Sequence, residues 1–129
     1  MPYIRLQLTL WVLLSLFSCQ RSPHYPATML RAEQLMDTAP DSAQTLLLGL
    51  KNCISEQSKA VQMYYWLLAV KASDKCYVPH TSDSLMKAVV HYYENHGTPA
   101  QRMEAYYYLG SVYRDMQDAP RALNFFNRL

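Results

Sequence analysis

The run MEAYYYLGSVYRDMQDAPRALNFFNRL, residues 103–129, decides the fold. Just ahead of it, Thr98-Pro99-Ala100-Gln101 forms a capping box with proline at the first helical position. A helix therefore starts near Pro99, and its apolar spacing carries it to about Met116. Asp118 then suits the N-cap of a further helix. That helix is still apolar at Leu123, Phe125, Phe126 and Leu129 when the chain stops.

Upstream, the same alternation of helix and short connection recurs. Met29, Leu30, Ala32, Leu35 and Met36 line one face of a helix over about 28–37. Pro40 fits a first helical turn with Asp41 near its positive end, and that helix runs to about Cys53. Ser55 is the expected N-cap of a third helix over about 56–72. This helix is apolar nearly all round from Met63 to Val70, so it should be covered on more than one side. Thr81 or Ser82 caps a fourth, which Gly97 closes in the left-handed cap position. Six helices with short connections imply an all-α fold of stacked antiparallel hairpins. Composition agrees: Leu, Ala and Met total 37 residues against 9 for Val and Ile, and unbranched side chains lose least freedom on a helix. Half the chain is hydrophobic, which excludes general disorder. A formal charge of +2 is too small to advertise nucleic acid as a partner.

The N-terminus reads as an address. Arg5 precedes an apolar run from Leu6 to Phe17, about 18 Å long as a helix and short of the ~30 Å membrane core. A secretory signal over residues 1–18 fits that length better than a membrane span. Leu16-Phe17-Ser18-Cys19 resembles a bacterial lipobox, which implies that Cys19 carries the lipid and becomes the first mature residue. Residues 19–27, with Pro23 and Pro26, read as a tether. Gln20-Arg21-Ser22-Pro23 lacks the acidic run that resembles a surface-export signal, so a periplasm-facing place in the cell envelope is expected.

The helical part repeats. Tyr106, Leu109, Gly110 and Tyr113, with Ala122 and Phe126, resemble the signature places of a tetratricopeptide repeat (TPR), a helix-turn-helix unit of about 34 residues. Gly110 and Ala122 are then small because two helices cross closely there. Stepping back one repeat from Ala122 and Phe126 lands on Ala88 and Tyr92, and Leu68 and Ala69 take the Leu and Gly places of that unit. The whole resembles TPR lipoproteins and TPR-bearing regulators of Bacteroidota, on residues 39–47, 80–85 and 105–113. The expected architecture is a short TPR-like α-solenoid over residues 28–129, about three helix pairs with the last one truncated. A stack broken off at Leu129 would leave an apolar edge, open to self-association.

Catalytic signals are weak. His80, Ser82, Asp83 and Ser84 are triad residue types, but adjacent in sequence they read as a loop and a helix cap. His91 and His96 are five apart and share no metal-binding face. No cofactor, no metal site and no enzymatic activity are expected. Cys53 and Cys76 are expected as buried free thiols, with a disulfide between them the alternative that an oxidising periplasm permits. The TPR resemblance implies a peptide-binding groove on the first helix of each repeat, here Met63, Trp66 and Val70, then Glu104, Tyr107, Ser111 and Arg114. Trp66, Val70, Tyr107 and Ser111 break the Lys and Asn pattern of TPRs that clamp a terminal carboxylate. The leading expectation is a non-catalytic, membrane-anchored scaffold that binds a protein or peptide. The alternative is the sensor segment of a longer membrane-linked transcriptional regulator, which a downstream span and helix-turn-helix domain would reveal.

Overall fold

A computed structural model describes Tyr3 and residues 23–129. The signal peptide expected over residues 1–18 and the lipidated Cys19 lie outside the described residues. Residues 23–129 hold six α-helices: α1 (Ala27–Leu35), α2 (Pro40–Leu50), α3 (Lys59–Lys75), α4 (Ser84–His96), α5 (Pro99–Asp115) and α6 (Ala119–Phe126), with a 3-10 turn at Ile54–Glu56 between α2 and α3. Each helix packs on the next in chain order, and α3 also touches α1 and α5.

Side-chain pairs fix the directions. Gln44 of α2 meets Ser73 of α3, while Tyr65 of α3 donates to the Leu47 carbonyl at 2.9 Å, so α2 and α3 are antiparallel. Tyr113 reaches Asp83 and Tyr106 reaches Glu94, so α5 is antiparallel to α4. By contrast α1, α3 and α5 run parallel. Tyr25 stacks near Tyr64 at one end of α1 and α3, and Asp37 pairs with Lys75 at the other. Lys71–Glu104 and Asp74–Arg114 join α3 to α5 in the same sense. The result is an all-α, solenoid-like stack with the odd helices side by side.

α3 explains why the stack has two cores. Its Met63, Leu67 and Val70 enter a core with α4, α5 and α6. Its Val61, Tyr64, Tyr65, Leu68 and Ala72 enter another with α1 and α2. Half-buried Trp66 touches both. An all-round apolar helix is buried on both flanks, as its sequence requires. Leu67 and Leu68, adjacent in sequence and both essentially inaccessible, therefore support different cores. Truncating either to Ala should cost about 2–5 kcal/mol.

Helix ends depend on short-range chemistry. The capping box at α5 is complete, with Gln101 N donating to Thr98 Oγ1 and Thr98 N to Gln101 Oε1. Asp118 caps α6 by accepting from Arg121 N at 3.0 Å. Three end assignments differ from the sequence reading. Ser55 lies in the 3-10 turn, and Ser58 is the cap of α3, accepting from Val61 N. Asp83 is the N-cap residue of α4 and makes no side-chain cap bond. Gly97 is extended at φ −88°, not left-handed. Glycine is needed at that position because an added Cβ would sit 2.6 Å from the Tyr93 carbonyl oxygen.

The left-handed positions are Tyr77 (φ 58°) and Gln117 (φ 60°), one after each long odd helix. Val78 N bonds Ser73 O and Asp118 N bonds Tyr113 O, the long-range closure of a Schellman motif in both cases. The 34-residue correspondence also weakens on α4. Ala122 is buried but Ala88 is exposed, and α4 buries Met86, Val89, Val90 and Tyr93 instead. Within the expected tether, residues 19–22 lie outside the described residues, Tyr25 packs on the α1–α3 core, and Ala27 already opens α1.

Candidate binding surface

α5 and α6 form the hairpin that carries the surface. Gly110 lets them close: a Cβ there would lie 2.6 Å from Cε1 of Phe126. Ala122 is buried at the same crossing. Phe125 stacks on Tyr113 at 5.8 Å between ring centres, with the Arg121 guanidinium over the other ring at 4.6 Å. These contacts hold α6 by one face only. Leu123 is 60% exposed on the other. Between the helices runs a trough of about 550 Å³ lined by Arg114, Gln117, Ala119, Ala122, Leu123 and Phe126. Tyr107 extends its rim, 41% exposed, with its ring 5.8 Å from that of Phe126.

Arg114 also lines a second cleft, of about 390 Å³, with Asp74, Tyr77, Val78, Pro79 and Asp115. There its guanidinium donates to Asp74 and to Asp115, both at 2.8 Å. Asp115 is partly buried, which alone would raise its pKa. Hydrogen bonds from Arg114 and His80 outweigh burial and hold the carboxyl below its ordinary value. His80 grips the same carboxylate twice, through its backbone N at 3.1 Å and Nδ1 at 2.8 Å. This latch fastens the α3–α4 loop to the end of α5. The other ring nitrogen, Nε2, is buried without a partner.

The expected groove residues separate into distinct environments. Tyr107 and Arg114 are exposed and share the rim of the trough. Glu104 is half-buried and bound to Lys71 at 2.6 Å. Trp66 is half-buried between the two cores. Met63, Val70 and Ser111 are buried, at 4%, 6% and 0% exposure. These three line no accessible groove: Met63 and Val70 belong to α3, which is enclosed on both flanks, and Ser111 is fully buried on α5. The α3 residues that meet Glu104 and Arg114 are Lys71 and Asp74. Leu123 appeared in the sequence only as part of a terminal apolar edge, and Phe126 as part of that edge and as a repeat signature place.

The triad residue types do not assemble. His80 pairs with Asp115, Ser82 Oγ accepts from Ser84 N, and Asp83 accepts from Tyr113 and pairs with Lys87. Among the described residues no group of three or more His, Cys, Asp or Glu side chains could hold a metal ion. Both described cysteines are free, but they are not buried as expected. Cys53 is exposed on the turn after α2, and half-buried Cys76 donates to Asp41 at 3.3 Å. Among the described residues no helix is long and apolar enough to cross a membrane.

No known protein family, curated protein or solved structure matches the chain.

Proposed function

We propose that this chain is a non-catalytic, TPR-like lipoprotein, anchored through Cys19 and facing the periplasm, whose helical stack binds a protein or peptide. The observation that carries the binding reading is the uncovered trough between α5 and α6. A helix that leaves Leu123 exposed and Phe126 partly uncovered offers an apolar seat suited to an amphipathic partner helix. Tyr107 supplies rigid, amphipathic contact area at the rim, and Arg114 supplies a charged handle. Without a partner, the same face is available to a second copy of the chain.

Three experiments test this. Membrane extracts probed with wild-type protein and with Tyr107→Ala and Leu123→Asp should show partner capture by the wild type alone. Helical signal and melting should be nearly unchanged in both variants. A large stability loss for Tyr107→Ala would make Tyr107 a core residue and remove the surface. Sedimentation of the same proteins reads self-association, which Leu123→Asp should abolish. For the anchor, Cys19→Ser should eliminate lipid labelling and release the protein from membranes. Continued pelleting would mean that residues 1–18 act as an uncleaved anchor.

A further inference from the structure

Charge is segregated along the helix axes. All of the chain's aspartates, Asp37, Asp41, Asp74, Asp83, Asp115 and Asp118, lie at the end holding the α1–α2, α3–α4 and α5–α6 turns. The cations at that end, Lys75, Lys87, Arg114 and Arg121, are each paired with one or more of them. The opposite end holds the starts of α1, α3 and α5 and the close of α2 and α4. There Lys51 follows α2, Lys59 opens α3 and Arg102 lies in the first turns of α5. Lys51 and Lys59 are exposed and Arg102 is half-buried. Among the described residues none of the three is in an ion pair. The acids on that half are Glu33, Glu56, Glu94 and Glu104: Glu104 is bound to Lys71, Glu94 faces Arg128 and the Tyr106 hydroxyl, and Glu33, bonded to Tyr64, is offset by exposed Arg31 on the same helix. The chain also enters the fold at this end, where Tyr25 is pinned on Tyr64 with ring centres 4.4 Å apart.

We infer that this basic end is a docking surface for anionic lipid headgroups, and that it sets the orientation of the domain on the bilayer. From Cys19 to Tyr25 the chain spans at most about 20 Å when fully extended. A lipid on Cys19 therefore holds this end against the membrane, and the free cations meet headgroup phosphates there. The aspartate end, repelled by the same surface, points away. The trough and the cleft around Arg114 lie towards that distal end, open to a partner. The inference rests on the lipid-anchor reading for the approach of the basic end. The headgroup preference itself belongs to Lys51, Lys59 and Arg102.

The test separates the two. Full-chain Cys19→Ser protein is co-sedimented with phosphatidylcholine vesicles, and with vesicles in which about one third of the lipid is phosphatidylglycerol. Insertion of residues 1–18 and the charges of Arg5 and Arg21 are common to every variant, so the change in preference on reversal reads the basic end. Each net positive charge at an anionic surface strengthens partitioning about fivefold, and three cations against Glu56 should give about a thirtyfold preference for anionic vesicles. Added salt should erase it. Reversing Lys51, Lys59 and Arg102 to Glu should cut the preference at least about thirtyfold, while Lys87→Glu at the other end should leave it intact. Equal binding to both vesicle types overturns the inference, and so does a preference that the triple reversal leaves unchanged. Lipid labelling of the wild-type protein at Cys19 reads the anchor separately, so either idea can fail alone.

Discussion

Replacing Gly110 by Ala opposes two effects of known size and opposite sign. In an exposed helix the change would stabilise the protein by about 1 kcal/mol, because glycine pays more backbone entropy than alanine. Here the new methyl would meet three atoms of the Phe126 ring at 2.6, 2.8 and 3.0 Å. Overpacking of this kind costs about 1–3 kcal/mol. Phe126 is only partly buried near the end of α6, so its ring can swing away, but only by giving up its place over the crossing. The expected net result is a destabilisation of about 0–2 kcal/mol, a drop in Tm of up to roughly 16 °C for a domain of this size. Urea titration followed by circular dichroism gives the value, and a double-mutant cycle gives the cause. In a Phe126→Ala background the clash is gone, and Gly110→Ala should become stabilising by about 1 kcal/mol. If Gly110→Ala stabilises the otherwise wild-type protein by that amount, α6 does not close over Gly110 and the trough loses its floor.

Gly49 is the control. It lies within α2 and its Cβ would meet nothing within 4 Å, so Gly49→Ala should stabilise by about 0.5–1 kcal/mol in the same titration. Tyr77 is 93% exposed at φ 58°. Tyr77→Gly should relieve about 1 kcal/mol of left-handed strain, raising the melting temperature with no change in helical signal. On the acid side, Asp115 is held below its ordinary pKa because bonds from Arg114 and His80 outweigh burial, and Asp83 because bonds from Tyr113 and Lys87 do. Their stabilisation is fully present above the unfolded value of about 3.9 and is lost as pH falls through the lower folded values. Melting from pH 6 to 3 should show this loss, and Asp115→Asn should flatten the profile. On the alkaline side, burial raises the pKa of Tyr64, Tyr93 and Tyr108. Stability should therefore be retained below the unfolded tyrosine value of about 10 and fall as pH rises beyond it.

The sequence by itself determined the features that depend on neighbours three or four residues away. Helical periodicity gave the all-α class, and the box at Thr98 and Gln101 and the cap at Asp118 were legible because donor and acceptor lie within one turn. The all-round apolar run from Met63 to Val70 also announced a helix enclosed on two sides. The same run carries no rotational phase: Met63 and Val70, expected on a groove, are buried in the core with α5, while the charged pairs from α3 to α5 come from Lys71 and Asp74. Only tertiary packing decides which face of such a helix turns to which neighbour. The pinning of Tyr25 on Tyr64, the grip of His80 on Asp115, and the exposure of Ala88 where Ala122 is buried are of the same kind. Each depends on residues that the chain brings together only after its helices have stacked, and no local pattern encodes the distance between them.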